Sequence, residues 1–261
     1  MDAASLERLG DELYAALRGR TPVAPLRERH PGLDIDGAYR ISRRLLERRL
    51  ADGERVVGKK IGVTSAAVQD ALGVHQPDFG WLTDRMACDD GAEMPISTQL
   101  IQPRAEGEIA FELSRRLAGP GVTEADVLAA TRVVRPCFEI VDSRIRDWKI
   151  RIEDTIADNA SSGFFVVGKD AVDPRGVDLV GCAMLVHKNG KELSRGTGAA
   201  TLGSPLAAVA WLANTLGGYG AALEAGEIIL SGALVPLEPV RAGDRMSLTI
   251  DGIGSASVVF A

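Results

Sequence analysis

Histidine and cysteine are scarce in this chain of 261 residues, with three of each. Cys88, Cys137 and Cys182 are odd in number and far apart, so neither a zinc spacing nor a disulfide framework follows from them. A reducing, cytoplasmic compartment is the expectation. His30, His75 and His187 are equally scattered, and neither HExxH nor a Ser/His/Asp signature occurs. Histidine-based catalysis is therefore not the first expectation. Positive charge is also short: 30 Lys and Arg stand against 36 Asp and Glu, a net charge of -6. A nucleic-acid partner would call for a basic field, so it is not expected. No run of about 20 apolar residues stands out, so no membrane span is expected. MDAASLERLGDELYAAL carries charges throughout, unlike a signal peptide. With 46% hydrophobic and 25% charged residues, the pattern is that of a globular protein with a substantial core.

The order of elements reads as α+β. SLERLGDELYAAL predicts a helix capped by Ser5, with Leu6, Leu9, Leu13 and Leu17 at helical spacing. A Pro-rich connector follows. Asp36 then predicts the cap of a helix from about Gly37 to Ala51, its arginines forming a solvated face. Near Arg55 the texture changes to short strands and turns. The expected division is a helical region over 1–54 and a strand-rich body over 55–261. Within the body, Thr123 and Asp126 form a capping-box pattern. SPLAAVAWLANTLGG predicts a helix capped by Ser204, with Pro205 at its first position and Gly217 and Gly218 stopping it. Asn189-Gly190 predicts a hairpin turn, EIILSG a short strand, and RMSLTIDGIGSASVVFA a closing strand. VVGKKIGVTS is glycine-rich but lacks the phosphate-loop spacing.

One stretch raises a chemical question. RAEGEIAFEL, residues 104–113, alternates as a half-buried strand. Three carboxylates, Glu106, Glu108 and Glu112, share one face, with no cation there beyond Arg104. Residues two apart on a strand lie about 6.6 Å from each other and point the same way, so Glu106 and Glu108 can converge on one cation. Glu112, about 13 Å from Glu108, cannot join them. An ordinary polar sheet face is the competing explanation. RPCFEIVDSR adds Glu139, set among Cys137, Phe138, Ile140 and Val141. Such a carboxylate needs a partner, a proton or a cation; Arg135 and Arg144 are the alternatives to a metal. Three converging hard oxygen donors suit Mg²⁺ or Mn²⁺. Asp158, Asn159, Ser161 and Ser162 crowd a strand entry, and Asp78 follows a turn at Pro77. Of the neighbours Lys59 and Lys60, only one is expected to point inward, and Lys60 is the choice.

GKKIGVTSAAVQDALGVHQPDFGWLTD, IQPRAEGEIAF, PCFEIVDSRIRDWKI, DTIADNASSG, WLANTLG and LSGALVPLEPV together resemble one family. It is that of the 2-oxopent-4-enoate hydratases, also called 2-hydroxypenta-2,4-dienoate or 2-keto-4-pentenoate hydratases, of the fumarylacetoacetate hydrolase superfamily. The 4-oxalocrotonate decarboxylases are sibling enzymes. The resemblance implies a mixed β-roll or barrel-like body with an N-terminal helical region. It implies that Glu106, Glu108 and Glu139 hold the metal, and that Lys60, Asp78, Asp158, Asn159, Ser161, Ser162 and Leu234 line the substrate pocket. The implied reaction, a step of aromatic meta-cleavage pathways, protonates a small dienol acid at C5 and adds water at C4. Lys60 and Asp78 are the candidates for the proton transfers. A homo-oligomer and association with a 4-oxalocrotonate decarboxylase are implied too. The rival readings are a decarboxylase of the same family, an acylpyruvate hydrolase and a non-catalytic partner subunit. The hydrolase would need an activating histidine, and a scaffold has no use for a carboxylate pocket.

Overall fold

The computed structural model describes residues 1–65, 68–70, 73–74 and 76–261. Two long helices, Ala3–Gly19 and Ile35–Ala51, pack through Leu6, Leu9 and Leu13 against Ile41 and Leu45. Their caps lie earlier than the sequence predicted. The Asp2 carboxylate accepts the Ser5 amide, and the Asp34 carboxylate accepts the Gly37 amide. Asp34 and Asp36 both suit a cap by residue type, and only the first has the extended backbone a cap requires. The arginine face is not simply solvated. Arg44 and Arg48 bind Asp11, and Arg49 is buried against Glu54 and Thr83.

Two sheets form the body. The larger runs in the order β2 (Asp78–Thr83), β1 (Val56–Gly62), β10 (Ile228–Leu230), β5 (Arg104–Leu113), β6 (Thr131–Val141), β7 (Ser162–Val167), β3 (Ala87–Cys88). The short β11 (Glu238–Pro239) also pairs with β5. Strand pairs β1–β10 and β3–β7 are parallel, and the rest of this sheet is antiparallel. β2 and β3 lie at opposite ends of the order, yet a three-residue turn, Asp84–Met86, joins them. A chain that short cannot cross a flat sheet of seven strands, so the sheet curls until its ends meet. Asn159 seals the seam: its amide accepts from the Trp81 N–H at 2.8 Å and donates to the Trp81 carbonyl at 2.9 Å.

The smaller sheet runs β4 (Glu93–Met94), β13 (Gly254–Phe260), β12 (Arg245–Ile250), β8 (Ala183–Lys188), β9 (Lys191–Thr197). Asn189 and Gly190, both at positive φ, turn β8 into β9 as the Asn-Gly pair predicts. The C-terminal stretch forms a hairpin, β12 with β13, where one strand was expected. Asp251-Gly252 supplies the turn, with Gly252 at φ +72°.

Alternation on β5 sends Ala105, Ile109, Phe111 and Leu113 into the main core, with Met184 of β8 and Leu248 of β12. The other face lines the inside of the curl, whose floor is Leu82, Ala110, Cys137, Phe165 and Leu230. The strand is therefore buried on both faces, unlike the half-buried strand its pattern suggested. The helices Glu124–Ala130 and Pro205–Gly218 begin at the predicted caps, Thr123 and Ser204. The second continues through both glycines expected to stop it. Gly198–Gly218 is a long apolar stretch, in contrast to the expectation that none stands out. Its helix has 14 residues, about 21 Å, short of the roughly 30 Å of a bilayer core. One hydrophobic core runs through the N-terminal helices and both sheets. Tyr39 stacks on Phe79 with ring centroids 4.4 Å apart, joining helix to β2.

Candidate active site

Cross-strand register assembles the carboxylates. Glu106 on β5 lies opposite Glu139 on β6, and Glu108, opposite Cys137, lies two pairs further along on the same face. Each residue of the trio offers an oxygen within 4.8 Å of the others. The Gly232 amide donates to Glu108 Oε2 at 2.6 Å. Gly232 sits at φ +105°, a conformation open to glycine and closed to most other residues. Glu108 Oε1 and both oxygens of Glu139 have no hydrogen-bond partner among the described residues. Neither arginine considered for Glu139 reaches it: Arg135 pairs with Glu112, and Arg144 with Asp158. Its neighbour is Lys60, whose Nζ lies 3.2 Å from Oε2 without hydrogen-bond alignment.

Burial pushes all three glutamates toward the protonated form. Glu106 rises to about 8, through desolvation and then repulsion by Glu139, against the pull of Lys60. Glu108 is raised well above the usual carboxylate range by burial and by both neighbouring carboxylates. Glu139 is raised by burial and held back by Lys60. Three carboxylates this close, two of them fully buried and the third half-buried, cannot all stay ionised unless positive charge joins them. Orphaned oxygens, converging geometry and an all-oxygen donor set make this trio fit a hard divalent cation.

Lys60 and Asp78 flank the trio. Burial would depress Lys60, but Glu139, Asp78, Glu106 and Glu108 outweigh it and hold the ammonium charged. Asp78 Oδ2 accepts from Thr155 Oγ1 at 3.0 Å, while Oδ1 is buried and unpartnered. Desolvation raises Asp78, and Lys60 opposes it. A Cβ on Gly62 would lie 2.4 Å from Asp78 Oδ1 and 3.1 Å from Lys60 Nζ, so this glycine is what lets the two groups share one spot. Lys59 corrects an expectation. It too is buried, on the outer face, where Glu227 holds it at 2.6 Å and Trp81 lies beneath it. Both faces of β1 are covered, so alternation did not send either lysine to water.

Lys60, Asp78 and, of the trio, Glu106 open on a cavity of about 460 Å³. Lys60, Asp78, Glu106, Ser161 and Leu234 line it; Val63, Val141, Trp148 and Ile150 give it apolar walls. Asp158, Asn159 and Ser162 stand behind the wall. Asp158 is clamped by Arg144, through its backbone N–H at 2.9 Å and its Nε at 2.5 Å. Arg144 also donates to the carbonyls of Asp142, Asp158 and Ser162. Burial raises Asp158 to about 6, with Arg144 opposing. Ser162 Oγ donates to the Asn159 carbonyl at 2.8 Å. Asn159, Ala160 and Ser161 all have positive φ, and this clamped left-handed turn puts Ala160 and Ser161 on the cavity surface. His75 lies outside the described residues. Sequence reasoning missed Thr155, and it considered Arg144 for Glu139 rather than for Asp158. Their partners are 77 and 14 residues away in the chain, and no local pattern marks either contact.

A curled mixed sheet that gathers three carboxylates, a lysine and an aspartate at one small cavity defines a class of enzyme. The chain belongs to the fumarylacetoacetate hydrolase family, in its hydratase/decarboxylase branch; the family model for the fumarylacetoacetate (FAA) hydrolase C-terminal region matches residues 58–260. It is 66% identical over 222 residues to a 2-hydroxypent-2,4-dienoate hydratase of Pseudomonas putida, covering 85% of this chain and 100% of that protein. It is 57% identical over 260 residues to a 2-hydroxyhexa-2,4-dienoate hydratase of Comamonas testosteroni, covering 99% and 98%. Among solved structures, 4-oxalocrotonate decarboxylase from Pseudomonas putida G7, complexed with magnesium and adipate, superposes with a TM-score of 0.97 at 33% identity, covering 100% of this chain and 99% of that one.

Proposed function

We propose that the protein is a divalent-metal-dependent hydratase. It adds water to 2-hydroxypenta-2,4-dienoate to give 4-hydroxy-2-oxopentanoate, in the meta-cleavage breakdown of aromatic compounds. The observation that carries this reading is the carboxylate trio with orphaned oxygens, whose Glu106 lines one cavity together with Lys60 and Asp78. The kinship with named hydratases over nearly the whole chain supports it. Glu106, Glu108 and Glu139 hold the cation, Mg²⁺ or Mn²⁺. When bound, it supplies Lewis acidity toward the 2-oxygen and carboxylate of the substrate.

The protein's own groups move the protons. C5 gains a proton as the 2-hydroxyl loses one, which leaves an α,β-unsaturated ketone. Water oxygen then bonds C4, one proton leaves the water, and C3 takes one. Asp78, with its free Oδ1, accepts the proton from water. Lys60, charged and rich in donors, stabilises the developing enolate and returns a proton to carbon. Thr155 fixes Asp78 by its second oxygen. Ser161 lines the cavity, its hydroxyl donating to Asp158 Oδ2 at 3.4 Å and able to accept from the substrate, and Leu234 and its apolar neighbours exclude bulk water.

An ultraviolet assay of 2-hydroxypenta-2,4-dienoate tests the reading. Consumption should stop with EDTA and return with Mg²⁺. No consumption with any divalent cation would refute it. The close superposition on the decarboxylase makes 4-oxalocrotonate the alternative substrate for the same assay. The protein works in the cytoplasm, consistent with its three unpaired cysteines. It forms a homo-oligomer and associates with a 4-oxalocrotonate decarboxylase, because the dienol that enzyme releases ketonises in water. Light scattering with and without that partner tests both, and a monomeric mass that the partner does not shift would count against both.

A further inference from the structure

Among the described residues Val63 is the one β-branched residue at positive φ, with φ +57°. A branched Cβ crowds the backbone there, so the conformation persists only where neighbours hold it. Gln69 donates from Nε2 to the Val63 carbonyl at 3.0 Å, and the Leu202 amide donates to the Thr64 carbonyl at 3.3 Å. On the other side, Gly62 is fixed by its pairing with Asp78. The bend falls where β1 ends and leaves Val63 on the cavity wall.

Its neighbours define which end of the cavity this is. Gly62 is the residue whose Cβ would collide with Asp78 Oδ1 and press on Lys60 Nζ, and Val63 follows it directly, one Cα step of about 3.8 Å. Val63 therefore stands beside the pair that moves the protons. Val141 and Leu234 belong to the other end. Val141 lies two residues beyond Glu139 on β6, and Leu234 two residues beyond Gly232, whose amide donates to Glu108. With its carboxylate and 2-oxygen at the trio, the substrate presents C4 and C5 to Lys60 and Asp78. A group carried on C5 then meets Val63. Branching at Cβ restricts χ1, so this valine makes a stiff wall.

We propose that Val63 determines specificity for the substituent at C5: its side chain closes the cavity beyond C5 and sets how long a 5-alkyl group fits. This rests on the hydratase reading and on the substrate orientation it gives.

Val63→Ala removes two methyl groups, and Val63→Ile adds one while keeping the branch. The readout is a ratio: kcat/KM for the 5-propyl homologue over kcat/KM for 2-hydroxypenta-2,4-dienoate. Loss of folded or metal-loaded enzyme lowers both values together and cancels. One methylene in an apolar pocket is worth about 10- to 200-fold. The ratio should therefore rise about 10- to 100-fold in Val63→Ala and fall at least about 10-fold in Val63→Ile. Val63→Thr keeps the branched shape, so its ratio should stay within about threefold of wild type. Calorimetry with 2-oxopentanoate and 2-oxooctanoate makes the same comparison without turnover, and Val63→Ala should shift relative affinity toward the longer acid. If the wild type turns over the dienoate but Val63→Ala and Val63→Ile both leave the ratio within about twofold, the proposal is overturned and the hydratase reading stands. If the wild type turns over no dienoate, the hydratase reading fails and the affinity ratio decides. An unchanged ratio would then overturn the role of Val63, and a shift toward 2-oxooctanoate in Val63→Ala would uphold it as the wall of a 2-oxo acid pocket.

Discussion

Asp78→Asn tests the division of labour in the site most directly. The substitution keeps size and shape. Asn can still accept from Thr155 Oγ1, the 3.0 Å bond that fixes the side chain. The unpartnered Oδ1 is what disappears as a proton acceptor. An amide placed there turns N–H donors toward Lys60 and cannot take a proton at neutral pH. Loss of a positioned acid or base lowers kcat by roughly two to four powers of ten. That corresponds to about 2.7–5.4 kcal/mol on the barrier. KM should change little, because binding falls to the metal trio and the cavity wall. Stability should move by only about 0.5–1.5 kcal/mol, the scale of one hydrogen bond, since the Thr155 bond survives. Stopped-flow or steady-state kinetics in saturating Mg²⁺, with a thermal melt and a metal titration, separate these effects. A kcat within tenfold of wild type would refute the role of Asp78 and leave Lys60 to carry both transfers.

Glu106→Gln, Glu108→Gln and Glu139→Gln should each weaken divalent-metal affinity by more than the about 10- to 100-fold that losing a supporting residue costs, with unchanged circular dichroism. Wild-type affinity in all three would sink the trio. In EDTA, stability should fall as pH rises from about 4.3 through about 8, because folded Glu106 binds a proton that the unfolded chain has released. Asp158, raised to about 6, adds the same sign in the lower part of that window. A divalent cation should restore the melting temperature most at the alkaline end, and a flat profile without metal would contradict raised carboxylates. Arg144→Met should destabilise the fold by about 3–5 kcal/mol, since it leaves Asp158 charged and unpaired in the interior. Chemical denaturation measures this, and a change under about 1 kcal/mol would show the clamp to be dispensable.

Local patterns were legible wherever their cause was local. The period of two along RAEGEIAFEL put Glu106 and Glu108 on one face, because strand geometry alone decides that. The Ser204 and Thr123 caps and the Asn189-Gly190 turn likewise depend on a few neighbouring residues. Errors came where local options were equivalent. Asp2 and Ser5, or Asp34 and Asp36, are equally good caps by type, and tertiary packing chose. Lys59 shows the limit most clearly. Alternation assigns it a face, but only a second layer of structure could bury that face and supply Glu227. The partner of Glu139 was equally hidden: Arg135 and Arg144 were near in sequence, and Lys60 came from another strand. Thus the sequence by itself determined the element types, the carboxylate face and the kinship. The curl of the larger sheet decided the rest, because contacts across it join residues whose spacing in the chain carries no period.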